Sequence, residues 1–192
     1  MSDWAEGHIG DLATGIRGVA YRPDQLREAS DESTVTLLRA NNIQSGALHF
    51  NDVQFVADVA VSEAQMLIPG DIAVCMSNGS RALVGKAAQY KSSNRERTTV
   101  GAFCSLFRPA SSAAPGYVSY LFQSQAYRAH LDLILAGSAI NNLRNKDIEA
   151  LKLLIAPKRE QSAIARILDT LDTQIEKTQA LIAKLEQVKE GL

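Results

Sequence analysis

The stretch Ile155-Ala156-Pro157-Lys158-Arg159-Glu160-Gln161 divides this chain into two parts of different character. Behind it, Lys158–Leu192 carries no proline, one glycine near its end and many good helix formers. Apolar residues recur there as Ile164, Ile167, Leu168, Leu171, Ile175, Leu181, Ile182, Leu185, Val188 and Leu192, mostly three or four apart. That spacing is the seam of a long amphipathic helix or coiled coil, interrupted at Thr178. Its candidate dimerisation positions are Ile164, Leu168, Leu171, Ile175, Ile182 and Leu185. At roughly 1.5 Å per residue the helix runs about 50 Å, too long for a simple tail on a small domain. Periodicity leaves three readings open: a helix packed back on its own domain, a generic zipper, or a spacer between binding heads.

Ahead of the junction, residues 1–157 read as mixed structure dominated by short strands. Val35–Leu38, Val53–Val61, Asp71–Met76, Ala82–Tyr90, Thr98–Arg108 and Leu151–Ala156 are rich in β-branched, aromatic or aliphatic residues. Turn signals lie between them at Gln44-Ser45-Gly46, Pro69-Gly70-Asp71 and Ser77-Asn78-Gly79-Ser80. One helix is predicted to open at Pro115, to carry Val118, Leu121, Phe122, Ala126, Ala129 and Leu133 on its apolar face, and to end at Gly137. A shorter helix is predicted over Asn145–Ala150. The expected class is α+β: a mostly β domain with short helices over 1–157, then a long coiled-coil-forming helix over 158–192.

The 192 residues are 46% hydrophobic and 21% charged, which excludes a disordered or collagen-like chain. No apolar run approaches the roughly 18 residues of a membrane span, and even Leu131–Ala136 is broken by Asp132. Asp3 and Glu6 near the start, with no apolar stretch, speak against a secretory signal. Cys75 and Cys104 make no disulfide framework, so a reduced cytoplasmic setting is expected. Both sit in apolar strand-like runs and read as small core residues.

Charge is unevenly distributed. Residues 1–70 hold 4 basic and 10 acidic residues, whereas residues 71–157 hold 10 basic and 5 acidic. Within the second block Arg81, Lys86, Lys91, Arg95 and Arg97 face only Glu96, net +4 in 17 residues. Such a local patch is the footprint of a polyanion-binding surface. The loops around it, Ser77-Asn78-Gly79-Ser80-Arg81 and Lys91-Ser92-Ser93-Asn94-Arg95-Glu96-Arg97, supply arginine for guanine edges or phosphates and asparagine for adenine. Read alone, each is also an ordinary solvated loop. No enzyme motif competes with this reading. His8, His49 and His130 have no metal-ligand spacing and no neighbouring nucleophile motif. Gly79-Ser80-Arg81 and Val84-Gly85-Lys86 are mis-spaced for a phosphate loop. No catalytic residue and no metal site is therefore assigned.

The order of these features resembles half of a specificity subunit from type I restriction-modification systems, over nearly the full length. The matching segments are Trp4, Gly10-Asp11-Leu12, Leu38-Arg39-Ala40-Asn41-Asn42-Ile43 with Gly46, and Leu67-Ile68-Pro69-Gly70-Asp71-Ile72. They continue with Ser77–Ser80 through Gly85-Lys86, Gly137–Leu143, the junction Ile155–Gln161, Ile164–Asp169 and Leu171-Asp172. The proline-to-Glu-Gln junction leading into a long helix is the most specific of them. Such subunits usually hold two target-recognition domains, each followed by a long helix; one of each is present in this sequence.

The resemblance implies a DNA target-recognition domain over 1–157, reading one half of a split duplex target, and a spacer or dimerisation helix over 158–192. It implies a non-catalytic chain without a cofactor of its own. Its partners would be double-stranded DNA, modification subunits that bind S-adenosylmethionine and methylate adenine, and a restriction subunit using ATP and Mg. A homodimer through the helix, or the second half of a longer subunit, would supply the other head. The DNA-binding candidates are Arg39, Asn41, Asn42, Asn78, Ser80, Arg81, Lys86, Lys91, Asn94, Arg95, Arg97, Asn141 and Asn142. Two competing classes stay open: a coiled-coil dimerisation protein with a globular head and no DNA target, and a small enzyme using an unrecognised pocket.

Overall fold

The run Ile72-Ala73-Val74-Cys75 forms a strand buried on both faces, and the domain is arranged around it. The computed structural model describes residues 3–91, 97–137 and 140–191. In chain order the elements are β1 (Ala5–His8), β2 (Ala13–Arg17), β3 (Leu26–Arg27), β4 (Thr34–Leu38), β5 (Ile43–Gln44), β6 (Ala47–Leu48), β7 (Gln54–Ala57), β8 (Ile72–Cys75), β9 (Ala87–Gln89), β10 (Thr98–Val100) and β11 (Cys104–Pro109). Then follow α1 (Pro115–Leu121), α2 (Gln125–Ala136), α3 (Asn145–Glu149), β12 (Lys152–Ile155) and α4 (Lys158–Glu190). This is an α+β chain with a long terminal helix, as its sequence pattern predicts.

Strands β2-β11-β8-β9 form an antiparallel sheet. A second sheet runs β10-β4-β7-β3, with β10 parallel to β4 and the other pairs antiparallel. Successive side chains of a strand point to opposite faces, so β8 serves two cores. Ile72 and Val74, with Phe107 of β11, meet Tyr117, Val118, Phe122 and Leu131 of the helices. Phe122 lies between Phe107 and Tyr127, with ring centroids 5.1 and 5.2 Å away. Ala73 and Cys75, with Leu106, meet Leu38, Ile43 and Val100 of the second sheet side. β1 pairs with β12, Ala5 opposite Ile155, which ties the start of the chain to the segment just before α4.

Expectations of two kinds need correction. The single helix from Pro115 is two helices, broken at Phe122–Ser124, where the Ser124 hydroxyl accepts the Tyr127 N–H at 3.2 Å and caps α2. The break resets the helical phase. Tyr127, Leu131 and Leu135 are the buried face of α2, and Ala126, Ala129 and Leu133 face solvent. The strand expected over Val53–Val61 stops at Ala57, where a 3-10 turn at Asp58–Ala60 begins. The strands expected over Thr98–Arg108 and Ala82–Tyr90 are also interrupted. The first turns between β10 and β11 at Gly101–Phe103. The second opens with a 3-10 turn at Arg81–Leu83 and a left-handed Gly85, φ +83°, and only then enters β9.

The base of α4 is seated on α1. Gln161 is buried; its Oε1 accepts the Ala114 N–H at 2.9 Å and its Nε2 donates to the Ala156 carbonyl at 2.8 Å. Ala165 packs over Gly116, where an added Cβ would come within 3.1 Å of the Ala165 methyl. The Tyr120 hydroxyl reaches Asp169 and Asp172 at 3.0 and 2.8 Å. Burial and then these two bonds push its phenol pKa up. The indole N–H of Trp4 donates to Glu160 at 2.6 Å. From Thr173 to Gly191 every residue is exposed. Among the helix positions read as a seam, Ile164 packs against the domain core instead. Leu168 is half-buried, and Leu171, Ile175, Ile182 and Leu185 are exposed.

Candidate nucleic-acid interface

The turn Gly101-Ala102-Phe103 joins β10 to β11 and stands at the edge of an open groove of about 740 Å³. Tyr21, Arg39, Asn41, Gln54, Ser77 and Asn78 also line that groove. The turn is held from three directions. Gly101 N–H donates to the Leu38 carbonyl at 2.9 Å, and Cys104 N–H to the Gly101 carbonyl at 2.8 Å. The Phe103 carbonyl accepts the N–H groups of Met76 and Ser77 at 2.8 and 3.2 Å. The ring itself is 70% exposed.

Arg39 is oriented by Asp52. One guanidinium nitrogen donates to both the Asp52 carbonyl and its carboxylate at 2.9 Å, and the Asn41 amide donates to the same carboxylate at 3.0 Å. Asp52 adopts φ +55°, an uncommon conformation for a non-glycine residue. The Arg39 Nε–H is buried with no partner among the described residues. An unpaired buried donor is costly, and a bound group or water is an ordinary explanation for one. Asn78 belongs to the same cluster: its side-chain oxygen accepts the Ser80 N–H at 3.0 Å, and its own N–H donates to the Asn141 carbonyl at 3.4 Å. The Asn141 amide returns to the Gly79 carbonyl at 3.1 Å, and Asn142 bridges Ser77. Loops about 60 residues apart in sequence are thus one surface.

A second groove, of about 320 Å³, shares Ala102 with the first. Arg17, Asn142, Arg144, Asn145 and Lys146 line it. Arg144 reaches Asp147 at 2.7 Å, and that guanidinium holds the Asp147 carboxyl below its ordinary range. The Ser105 hydroxyl donates to the Asn145 side-chain oxygen at 2.8 Å, fixing α3 against β11. Arg17, Arg144 and Lys146 are exposed cations that sequence reasoning passed over. They are scattered along the chain and dense only in space.

The basic segment 81–97 does not form one face. Arg81 donates to the Asp132 carbonyl of α2 at 2.6 Å, which pins the turn at Arg81–Leu83 to that helix. Arg97 pairs with Asp58 at 3.3 Å. Lys91 lines a different crevice, beside Tyr120, Asp169 and Asp172 of the α1–α4 seat. Lys86 is half-buried, and its charge opposes the upward pull of burial on both Cys75 and Cys104. Asn94 and Arg95 lie outside the described residues. Asn42 is a correction of a different kind. It is 1% exposed, its oxygen accepts the Arg39 N–H, and its amide donates to the carbonyls of His49 and Asn51. Its groups are spent inside the loop, so it shapes the groove instead of presenting an edge to it. Of the remaining candidates, Arg39, Asn41, Asn78, Ser80, Asn141 and Asn142 converge around the Phe103 turn.

Burial pushes the Cys104 thiol up to about 12 and raises that of Cys75. Among the described residues no group of three or more His, Cys, Asp and Glu could hold a metal ion. No helix among them is long and apolar enough to cross a membrane.

Comparison with known proteins identifies the family. A family model for the type I restriction modification DNA specificity domain matches residues 1–187. The chain is 34% identical over 185 residues to the StySPI specificity subunit of the Salmonella potsdam type I restriction enzyme, covering 96% of this chain and 40% of that protein. The EcoKI specificity subunit of Escherichia coli (strain K12) matches at 34% over 185 residues, 96% of this chain and 39% of that one. The chain therefore spans about two fifths of the length of these relatives. Among solved structures, a chain from work on complex assembly and conformational transition of the type I R-M system superposes with TM-score 0.70 at 16% identity, over 95% of this chain and 42% of that one. The HsdS subunit from Thermoanaerobacter tengcongensis superposes with TM-score 0.65 at 13% identity, over 91% and 38%. At such identities these two establish the shared fold.

Proposed function

The chain belongs to the type I restriction modification DNA specificity domain family, and from that membership we propose that the Phe103 face reads one half of a bipartite duplex target. One observation carries the reading: Arg39, Asn41 and Asn78, the last bonded to Asn141, line a groove at a fixed turn, and Asn142, Arg17, Arg144 and Lys146 line a second groove that shares Ala102 of that turn. Asparagine and arginine are the side chains that pair with adenine and guanine edges, and peripheral cations hold phosphates. The chain is a recognition module without catalytic groups of its own. Methyl transfer to adenine belongs to modification subunits that bind S-adenosylmethionine and dock along α4. Translocation and cleavage belong to a restriction subunit using ATP and Mg.

The free part of α4 would hold a second reading head at a fixed distance. The stripe Leu171, Ile175, Leu181, Ile182, Leu185 and Val188 is exposed, and an apolar face of that extent is an interface. Its partner is an equivalent helix, from a second copy or from another segment of a longer subunit. Two-fold symmetry allows a parallel or an antiparallel pair; the antiparallel one puts the heads at opposite ends. A helix of about 50 Å would then hold the heads apart by about 14 base pairs before overlap.

Selection of bound sequences from a pool of random duplexes by the full chain tests the reading. A short enriched motif is expected, an inverted repeat with an unspecified middle for a dimer. Enrichment of no sequence would overturn it.

A further inference from the structure

We propose that Phe103 is a wedge that inserts between neighbouring base pairs of the bound duplex and kinks it, so that the flexibility of one base step becomes part of the recognised signal. This rests on the DNA-facing reading of the groove. The benzyl group is 70% exposed although its chain neighbour Cys104 is 2% exposed. Leaving a phenylalanine in water forgoes roughly 1.5–3 kcal/mol of burial, which a ring with a partner in the complex recovers. Its backbone is already fixed by the bonds from Met76 and Ser77 to its carbonyl and by those of Gly101 and Cys104. Insertion therefore orders only the two torsions of the side chain.

The surroundings fit a wedge better than a protein-docking spot. Apolar wedges that open a base step act where donors grip the strands on both sides of the kink. Arg39, Asn41 and Asn78 line the groove that Phe103 edges, and Arg17, Arg144 and Lys146 line the groove that begins at the neighbouring Ala102. A single ring among so many charged and amide groups is too small for an apolar protein interface, and a base step offers two flat faces that match it.

The test uses the full chain and the duplex enriched from the random pool, labelled at its two ends for energy transfer. Binding is expected to raise transfer, as a kink of about 20–90° draws the ends together. Phe103→Ala is expected to lower affinity roughly ten- to a hundredfold and to bind the duplex straight, whereas Phe103→Trp keeps both affinity and kink. Leu133→Ala, which removes an equally exposed apolar side chain from α2, leaves both unchanged. A wild-type complex on the enriched duplex with no rise in transfer overturns the wedge and leaves the groove reading standing, as does a Phe103→Ala complex that still kinks it. A chain that enriches no sequence removes the groove reading and the wedge with it.

Discussion

Asn41 and Asn42 are neighbours in sequence and opposites in role. Asn42→Ala would strip partners from the Arg39 N–H and from two carbonyls inside a buried loop. A loss of about 1–3 kcal/mol in stability is expected, read from urea unfolding. Substituting Arg17 and Lys146 by alanine should leave the unfolding midpoint nearly unchanged. It should flatten the log-affinity against log-salt slope by about 0.9 for each phosphate that the variant no longer neutralises. An unchanged slope would place the phosphate-binding cations elsewhere. At this scale the sequence reveals residue chemistry and hides pairing. Arg81 and Arg97 count as free side chains in a tally, but the Asp132 carbonyl holds the first in place and the Asp58 carboxylate pairs with the second. Phe103 reads as one more apolar strand residue, because nothing in Thr98–Arg108 announces that Gly101 turns the chain there. The cysteines behave as their sequence context implies. With Cys104 pushed up to about 12 by burial and Cys75 raised likewise, neither thiol should alkylate at about pH 8 in the folded chain, and both should once it is unfolded. Rapid native labelling would contradict that.

Among the elements, the seat of α4 carries the most consequence. Its parts come from distant segments: Trp4 before β1, Ala114, Gly116 and Tyr120 in and around α1, and Glu160, Gln161 and Ala165 on the helix. Gly116→Leu would drive a branched side chain into Ala165 and lift the helix from α1. The expected results are a melting temperature lower by several degrees, from a cost of about 1–3 kcal/mol, and a changed Trp4 emission. Trp4 is the one tryptophan, and its indole is bonded to Glu160 of the same helix, so its fluorescence reports the seat directly. Element identity was readable wherever periodicity was long, as in Lys158–Glu190. It failed at Phe122–Ser124, where three residues break the helix and rotate everything after them. Two-residue strands such as β3, β5 and β6 are too short to imprint a pattern.

At the scale of the whole molecule, the expected assembly is a pair of heads joined through the exposed stripe. Ile182→Asp together with Leu185→Asp places two charges in that stripe without touching the seat. The wild-type chain should scatter light as a dimer at tens of micromolar and the double variant as a monomer whose Trp4 emission, and so its seat, is unchanged. A wild-type monomer would assign the stripe to a helix outside this chain. The seat also makes α4 a lever arm. Asp172 is its last anchored residue, and Glu190 ends it; those 18 residues extend about 27 Å beyond the fulcrum. A tilt of about 10° at the seat would swing the far end by about 5 Å, more than the 3.4 Å rise of one base pair. In the proposed two-headed assembly, angular stiffness at the contact of Gly116 with Ala165 would set how many spacer lengths are tolerated.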